Sequence, residues 1–243
     1  MKTLGVIPAR LHSTRLPEKL IRKINDKCII QYVWENVMKA GRIDDVIIAA
    51  DNVKIAEAAE SFGAKVVMTR EDHKSGTDRV FEVAEKSNAD VIVNIQGDEP
   101  LLDPSSLDTL LSAFDDASVL MATLCCKGTD KTTYNDPNVV KVVRDSNDDA
   151  LYFSRSAIPY FRDTDIIEFY KHIGLYAYTR DFLMSVPVLK KSCLEDFEKL
   201  EQLRVLENGF KIKVLEVEHN SIGVDTEEDF KKVEQLITGK NKG

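Results

Sequence analysis

The sequence predicts an α/β fold with a doubly wound, mostly parallel sheet and a smaller antiparallel insertion. Short β-branched runs alternate with helical patterns from residue 4 to about 125. Several of these runs are apolar without alternation, which is typical of strands buried on both faces. After Gly128 the strand patterns follow one another without a long helix between them, which indicates an antiparallel part at roughly 128–185.

The elements of the first part follow in order from apolar spacing and turn residues. The strand patterns are 4–7, 46–50, 65–68, 91–95 and 119–124. The helical patterns are 30–38 before Gly41, 55–62 before Gly63, 78–86 and 104–114. A strand, helix, strand rhythm of this kind implies parallel strands joined by helical crossovers.

The elements of the second part lack this rhythm at first. Strands are predicted at 139–143, 150–153 and 173–178. A helix is predicted over 192–206, because Ser192 and Glu195 match a capping box and Gly209 lies beyond its end. A strand at 211–217 and a helix at 226–237 complete the chain. We therefore expect one domain over 1–243, with an inserted subdomain at roughly 128–185.

Composition excludes several classes of function. Of the 243 residues, 43% are hydrophobic and 30% are charged, as in a globular protein rather than a disordered one. The net charge of −8 argues against a nucleic-acid partner, although it allows an anionic small substrate. The apolar runs are far shorter than the roughly 20 residues of a membrane span. We therefore expect no membrane partner. The four cysteines show no CxxC spacing, so we expect reduced thiols and a cytoplasmic location.

A cationic segment follows the first predicted strand. Arg10, Arg15 and Lys19 lie within ten residues, with two hydroxyl residues between them. Ligands of open α/β sheets bind at the carboxyl ends of strands, and arginine and lysine suit phosphate oxygens. Neither GxxxxGK[ST] nor GxGxxG is present, so side chains as well as backbone N–H groups would hold the phosphates. A solvated basic loop is the alternative.

Two acids are candidates for a Mg²⁺ site. Asp98 follows the apolar strand pattern at 91–95, and Asp225 comes directly before the terminal helical pattern. Mg²⁺ often takes one or two carboxylates and completes its shell with phosphate oxygens and water. In the absence of metal we expect two facing carboxylates to repel each other. The alternatives are an exposed turn at Asp98 and a simple helix N-cap at Asp225.

Further polar segments are less specific. Residues 73–79 lead into a predicted helix, where Gly76 permits close approach of a ligand to the backbone, and Thr77 is the expected cap if the segment is merely a helix start. The segments 153–155, 171–176 and 201–204 each carry an arginine or a histidine, which is more often structural than functional in such places. Aromatic residues of the middle segment favour an interface between subunits. They are Tyr160, Phe161, Phe169 and Tyr170.

Six motifs carry a resemblance to a known family. In chain order they are IPARLHSTRLPEK at 7–19, SGTDR at 75–79, NIQGDEP at 94–100, ALYFSR at 150–155, LEQLR at 200–204 and GVDT at 223–226. On these motifs the sequence resembles the 3-deoxy-manno-octulosonate (Kdo) cytidylyltransferases, also called CMP-Kdo synthetases. The resemblance runs in the right order over essentially the whole chain.

The resemblance implies a fold, a reaction and a cofactor. The fold would be a Rossmann-like nucleotidyltransferase sheet, in a homodimer whose contact comes largely from the middle segment. The reaction would convert CTP and Kdo to CMP-Kdo and diphosphate, with Mg²⁺, and would serve lipopolysaccharide biosynthesis. Because no histidine or cysteine stands out as a nucleophile, we expect direct attack of the anomeric hydroxyl on the α-phosphorus.

The resemblance also implies roles for particular residues. The residues expected at the nucleotide are Ala9, Arg10, Ser13, Arg15, Lys19, Ser75, Gly76 and Asp98. Those expected to take part in catalysis are Arg10, Arg15, Lys19, Asp98 and Asp225, with Mg²⁺ held by Asp98 and Asp225. Those expected around the sugar acid are Arg79, Gln96, Arg155, His172, Tyr176 and Glu201.

The sequence departs from the family pattern at three places. Glu18 stands where many members have glycine, so its carboxylate should point away from the phosphates. Lys171 precedes His172 where many have arginine, and 221–222 is Ser-Ile instead of the commoner Gly-Thr. The departure at Lys171 leaves the exact sugar acid open.

Three other functions are compatible with parts of this pattern. One is the same reaction on a related acid, such as an 8-amino Kdo analogue or a nonulosonate. Another is a metal-dependent nucleotide-sugar glycosyltransferase, whose fold also places acids after a central strand. The third, a non-catalytic regulator, would not need the whole set of Arg10, Lys19, Asp98 and Asp225.

Overall fold

The computed structural model describes residues 1–13, 15–73, 75–163, 167–218 and 222–239. The chain divides into two compact units: Met1–Asp108 together with Ser221–Gly243, and Thr109–Asn220. The second unit begins earlier and ends later than the insertion expected at roughly 128–185. One domain over 1–243 with that insertion stays a prediction.

The strands and helices alternate as follows. The strands are β1 (Thr3–Ala9), β2 (Lys23–Ile24), β3 (Lys27–Cys28), β4 (Asp45–Ala50), β5 (Lys65–Met68), β6 (Val91–Asn94), β7 (Met121–Gly128), β8 (Lys141–Arg144), β9 (Ala150–Ser154), β10 (Phe169–Thr179) and β11 (Lys213–Glu216). The helices are α1 (Ile29–Val37), α2 (Val53–Ser61), α3 (Gly76–Glu85), α4 (Pro104–Ser112), α5 (Lys131–Asn135), α6 (Arg180–Ser185), α7 (Cys193–Glu198), α8 (Gln202–Glu207) and α9 (Glu227–Thr238). Over the described residues, none of these helices has the length and apolar character needed to cross a membrane.

A parallel sheet forms the core of the first unit. β1 pairs with β4 on one side and β6 on the other, and β4 pairs with β5, all in parallel. Val6 of β1 lies opposite Ile47 of β4 and Asn94 of β6. Because parallel strands end at the same edge of a sheet, the loops that follow β1 and β6 emerge next to each other.

Two glycines allow other segments to approach the end of β1. A Cβ at Gly97 would lie 3.2 Å from the carbonyl oxygen of Pro8, and one at Gly76 would lie 3.4 Å from Pro8 Cγ. Glycine therefore lets the loop after β6 pack against the backbone of β1. The start of α3 lies against the same residue of β1.

A small hydrophobic cluster connects the loop after β1 with the terminal helix. Its buried members are Leu16, Ile24, Ile29, Val224, Phe230 and Val233. Leu16 follows Arg15 and Val224 precedes Asp225, so burial of these two neighbours fixes the backbone beside each charged residue. Helix α9 begins with a capping box in which Thr226 and Asp229 bond each other's backbone N–H groups.

The second unit is mainly antiparallel. β10 pairs antiparallel with β7 and β8, β8 pairs antiparallel with β9, and β11 runs parallel to β7. The register of β10 on β7 shifts between Ile173, opposite Leu124, and Tyr176, opposite Thr123, so two residues of β10 form a β-bulge. The α/β fold class with an antiparallel part after the parallel strands is confirmed, while the use of that part in dimerisation stays a prediction.

The structure differs from the predicted elements mainly at 192–206. The continuous helix predicted there is wrong: α7 and α8 are separated at Lys199, whose φ is +55°. Arg155 Nε donates to the carbonyl oxygen of Glu198 at 2.7 Å. This side-chain donor takes the place of the backbone N–H that would bond the same carbonyl in a continuous helix. Half of the expected capping box forms, because Ser192 accepts from the Glu195 N–H but the Glu195 carboxylate binds Arg204.

Smaller differences concern the ends of elements. The C-cap of α1 is Met38 rather than Gly41, and β7 begins at Met121 rather than at residue 119. Gly63 and Gly209 do have the positive φ, +88° and +80°, expected of residues that follow helices.

Candidate active site

The loop after β1 is fixed at both ends. The Leu11 N–H donates to Asp51 Oδ1 at 2.9 Å, and the Asp51 N–H donates to the carbonyl oxygen of Ala9 at 3.1 Å. Leu16 is buried, whereas the side chain of Arg15 is exposed. Ala9 is buried, Arg10 is exposed and Ser13 is partly exposed. The loop therefore presents its cationic side chains on a backbone anchored to the sheet.

Glu18 departs from the family pattern, but its negative charge is paired with a lysine of α2. Its φ of +52° lies in the left-handed region, where glycine is the residue without steric cost. Its carboxylate accepts from Lys54 Nζ of α2 at 2.8 Å. The charge of Glu18 is thus directed towards α2 and paired.

Lys19 brings the two candidate metal ligands together. Its Nζ donates to Asp98 Oδ2 and, at 2.8 Å, to Asp225 Oδ1. Asp225 Oδ2 accepts from Arg15 at 2.9 Å. The side chain of Lys19 is only 10% exposed, so the ammonium group lies between the two carboxylates below the surface. Four of the predicted catalytic residues therefore form one cluster at the carboxyl ends of β1 and β6.

The electrostatics of this cluster favour the charged forms of Lys19 and Asp225. Burial lowers the pKa of Lys19, but the charges and hydrogen bonds of Asp98 and Asp225 outweigh it and leave that pKa raised. Burial raises the pKa of Asp225, but Lys19 and Arg15 outweigh it and leave that pKa lowered. The ammonium group thus offsets the repulsion expected between the two carboxylates.

The position of Asp225 is not explained by helix capping. Thr226 is the N-cap of α9, and its hydroxyl accepts from the Asp229 N–H at 3.2 Å. The Val224 N–H donates to the carbonyl oxygen of Asp98 at 2.9 Å, which ties this segment to the loop after β6. The side chain of Asp225 is therefore free of a capping role and is directed to Lys19 and Arg15.

The start of α3 lies beside the same end of β1. Ser75, not Thr77, is the N-cap: its hydroxyl accepts from the Asp78 N–H, and its own N–H donates to the Asp78 carboxylate, both at 3.1 Å. Gly76 is the first residue of the helix and packs on Pro8. Gln96 is partly buried in the loop that Gly97 lets approach β1.

Arg79 has a structural environment. Its side chain is 4% exposed, and its guanidinium donates to Thr69 Oγ1 and, at 3.0 Å, to the carbonyl oxygen of Arg70. It also lies 3.5 Å from Asp51 Oδ2. Asp51 thus links α3, through Arg79, to the loop after β1. These protein acceptors give Arg79 a structural role, and its contact with a sugar acid stays a prediction.

In the second unit, Arg155 is held by Glu198. The Arg155 N–H donates to Glu198 Oε2 at 2.9 Å, and Arg155 Nη1 donates to the carbonyl oxygen of Pro137 at 3.1 Å. Ser154 Oγ donates to Glu198 Oε1 at 2.6 Å. Burial raises the pKa of Glu198, but these hydrogen bonds outweigh it and leave the pKa lowered. Glu198 therefore stays ionised and positions Arg155.

His172 and Tyr176 are neighbours on β10. Their ring centroids are 5.4 Å apart, and the ring of Phe153 meets that of His172 edge-on at 5.0 Å. Burial lowers the pKa of His172 to about 3. Burial, with the charges of Tyr178 and Glu201, holds the pKa of Tyr176 well above its ordinary value. Glu201 itself is exposed. His172 and Tyr176 are thus neutral polar groups at neutral pH.

Three residues that contact the predicted site residues or their loop were missed by sequence reasoning, namely Asp51, Thr123 and Glu198. Asp51 follows the buried strand β4, the same signal that singled out Asp98. Thr123 interrupts the apolar run of β7, and this could have marked it. Glu198 carries no comparable signal, because its partners Ser154 and Arg155 are distant in sequence.

The donors available to a metal are oxygens from two carboxylates. Among the described residues there is no group of three or more histidine, cysteine, aspartate or glutamate side chains arranged around a metal position. Asp98 and Asp225 meet at one cation, the Lys19 ammonium. Two carboxylates that already share a cation are a donor set that suits Mg²⁺ when phosphate oxygens and water supply the rest.

Comparison with known proteins places the chain among sequence relatives of nearly full length. A family model described as "Cytidylyltransferase" matches residues 4–213. A 3-deoxy-manno-octulosonate cytidylyltransferase of Solibacter usitatus is 52% identical, over 97% of this chain and 94% of that protein. One from Fusobacterium nucleatum is 45% identical, over 99% of each chain.

Solved structures agree with this placement. A CMP:2-keto-3-deoxy-manno-octonic acid synthetase complexed with CTP is 42% identical and superposes with a TM-score of 0.95, covering 99% of this chain and 100% of that one. A cytidylyltransferase from Leptospira borgpetersenii is 19% identical with a TM-score of 0.66, covering 98% of this chain and 87% of that one, and shows likeness of fold alone.

Proposed function

The chain belongs to the cytidylyltransferase family, and on that premise we propose that it transfers the cytidylyl group of CTP to Kdo. The products are CMP-Kdo and diphosphate. The observation that carries the proposal is the cluster of Lys19, Asp98, Asp225 and Arg15, which combines two carboxylates and two cations at the carboxyl ends of β1 and β6. That chemistry suits a triphosphate with a divalent cation.

The nucleotide is held by the loop after β1 and the start of α3. Arg10, Ser13, Arg15 and Lys19 bind the phosphates, and the backbone around Ser75 and Gly76 binds the cytosine. An ammonium group has three N–H donors, of which Lys19 uses two on Asp98 and Asp225. The third donor can bind a phosphate oxygen without breaking the other two.

The residues present fit Mg²⁺. Asp98 Oδ1 accepts no hydrogen bond from the described part of the chain, and the Asp225 oxygen bound by exposed Arg15 becomes available when that arginine turns to a phosphate. Asp98 and Asp225 would therefore hold the ion. Mg²⁺ bound there would add positive charge next to the phosphate oxygens and the attacking hydroxyl.

The chemical step is an in-line displacement. The anomeric oxygen of Kdo forms a bond to the α-phosphorus, the bond from that phosphorus to the bridging oxygen breaks, and diphosphate leaves with the electron pair. The hydroxyl proton passes to solvent. Both reactants are anions, so Arg10, Arg15 and Lys19 lower the repulsion between them and stabilise charge on the departing diphosphate.

The sugar acid is bound by polar residues of the second unit. Arg155, positioned by Glu198, offers a guanidinium for the carboxylate of the acid. His172 and Tyr176 are uncharged at neutral pH and suit hydroxyl groups. Glu201 is exposed and accepts hydrogen bonds only, so it also suits hydroxyl groups.

The proposal also covers the location, the oligomeric state and the biosynthetic role of the enzyme. It acts as a cytoplasmic homodimer that activates Kdo for lipopolysaccharide biosynthesis. Exposed apolar side chains of the second unit support the dimer, namely Tyr160 at 84%, Val188 at 83% and Phe197 at 80% exposure. Phe169 was expected at the interface but is buried against Tyr134 and does not contribute.

Diphosphate release tests the proposed reaction. With purified protein, CTP and Mg²⁺, we expect diphosphate to form only when Kdo is present, in equal amount to CMP-Kdo. A panel of acids, including an 8-amino Kdo analogue and a nonulosonate, decides the sugar. Faster turnover of another acid would overturn the choice of Kdo, and consumption of a nucleotide sugar without diphosphate release would indicate a glycosyltransferase.

A further inference from the structure

Thr123 lies at the centre of a hydrogen-bonding group in the second unit. Its side chain is fully buried on β7, opposite the bulge of β10. Thr123 Oγ1 is 2.8 Å from the carbonyl oxygen of Leu175, 3.2 Å from that of Ile173 and 3.0 Å from His172 Nε2. One hydroxyl group therefore touches both sides of the bulge and the imidazole ring.

The single proton of this hydroxyl decides the direction of each hydrogen bond. Carbonyl oxygens can only accept, so the Thr123 O–H donates towards Leu175, the nearer of the two carbonyls. The remaining lone pairs of Oγ1 can only accept. His172 Nε2 must then be the donor in the contact at 3.0 Å, which places the ring proton on Nε2.

The ring of His172 is neutral and well packed. Burial lowers its pKa to about 3, so one nitrogen carries a proton and the other a lone pair at neutral pH. The rings of Phe153 and Tyr176 pack against it, with centroids 5.0 Å and 5.4 Å from that of His172. In the described part of the chain, Thr123 is the hydrogen-bond partner of the ring, and the residue stays partly accessible to solvent. The lone pair is therefore on Nδ1.

We propose that Thr123 is a positioning residue that fixes His172 as the Nε2–H tautomer, so that Nδ1 accepts a hydrogen bond from a hydroxyl group of the sugar acid. A neutral acceptor suits a hydroxyl donor and does not suit a carboxylate. His172 thereby selects for the polyhydroxyl part of the substrate, while its carboxylate needs a cationic partner elsewhere. The identity of the ligand rests on the proposed function, but the tautomer does not.

Nitrogen NMR of the substrate-free protein tests the tautomer directly. In protein labelled with ¹⁵N-histidine at neutral pH, assigned with single substitutions of the other histidines, we expect protonated Nε2 and unprotonated Nδ1 for His172. A proton on Nδ1, or on both nitrogens, would overturn the proposal. This result does not depend on any turnover, so it stands apart from a failure of the proposed reaction.

Variants at Thr123 test the link to substrate. Thr123→Val keeps the shape but removes the acceptor, and we expect the KM for Kdo to rise roughly tenfold while the KM for CTP is unchanged. Thr123→Ser keeps the hydroxyl and should restore a KM for Kdo close to wild type. Thr132→Val, the same change at an exposed position of α5, is the matched control.

The outcomes separate positioning from a general loss of structure. An equal loss for CTP and Kdo, or a Thr123→Ser variant as poor as Thr123→Val, would contradict the proposal. Should Thr123→Val not fold, the ¹⁵N shifts of wild type and of Thr123→Ser decide it, because both must show the Nε2–H tautomer.

Discussion

Asp225→Asn separates a catalytic carboxylate from a helix cap. Asp225 accepts from Lys19 at 2.8 Å and from Arg15 at 2.9 Å, while Thr226 caps α9. Asparagine keeps the shape and one acceptor oxygen but removes the charge. If the account is right, the change removes a metal ligand and half of the negative charge around Lys19 without disturbing the start of the helix.

The expected loss of stability is small. Hydrogen bonds to charged groups contribute about 1.5–3 kcal/mol when well buried, but the Asp225 side chain is 48% exposed and Arg15 is 66% exposed, so solvent screening removes much of this. We expect a loss of about 1 kcal/mol, equivalent to a fall in Tm of about 2–4 °C for a chain of this size. Repulsion between facing carboxylates alone would have made asparagine neutral or stabilising. Because Lys19 pairs with both carboxylates, we expect asparagine to be destabilising instead.

The stability difference should depend on pH in a defined direction. The pKa of Asp225 is lowered below its ordinary value of 3.8 in the folded protein. Its contribution is therefore fully present above that value and is lost as the pH falls through the lowered folded value. The gap in Tm between wild type and Asp225→Asn should be constant near neutrality and should close below pH 3.8.

Enzyme activity shows whether Asp225 has a catalytic role. Under saturating CTP and Kdo, Asp225→Asn should lower kcat by at least about 10²-fold, the order seen when one charge-stabilising group is removed. Asp130→Asn is the matched control, because Asp130 is the N-cap of α5 and asparagine caps about as well. Equal, near-wild-type activity of the two variants would refute the assigned role of Asp225.

Four further results are expected. Arg15→Ala and Lys19→Ala should each lower kcat by at least about 10²-fold with the fold intact by circular dichroism, and near-wild-type turnover of either would contradict a role at the phosphates. CTP should exceed UTP in kcat/KM, tenfold for every ~1.4 kcal/mol of differential binding, and equal use of ATP or GTP would reject the cytosine site. Chelation with EDTA should abolish activity and added Mg²⁺ should restore it, whereas unchanged activity in EDTA would exclude the metal. Light scattering should give a dimer, and a stable monomer at micromolar concentration would refute the interface.

Much of the fold was accessible from the sequence because apolar patterns are local. The buried strands β4 and β6 are continuous apolar runs, and β5 lies at the residues predicted, Lys65–Met68. The helix predicted over 192–206 failed for a non-local reason. Its apolar spacing continues through the break, and the group that takes the Glu198 carbonyl is Arg155, which lies 43 positions away in the chain.

The candidate site likewise contains residues that the sequence could predict and residues that it could not. Motif resemblance assigned Lys19, Asp98 and Asp225, and the structure places them in one cluster. Motif resemblance could not assign the residues that hold other side chains in place. The Asp51 link to Leu11 and Arg79 exists only through tertiary contacts, as does the Thr123 contact with His172. Supporting residues are hidden from sequence patterns because their partners are set by folding.

The proposed reaction joins the anomeric oxygen of Kdo to the α-phosphorus without breaking the C–O bond of the sugar, and isotope tracing tests this. Kdo labelled with ¹⁸O at the anomeric hydroxyl is mixed with CTP, Mg²⁺ and enzyme, and the product is examined by ³¹P NMR and mass spectrometry before the label exchanges. We expect ¹⁸O to be retained in the bridge between the sugar and the α-phosphorus of CMP-Kdo, with unlabelled diphosphate released. Loss of the label from that bridge, or its appearance in diphosphate, would contradict the account.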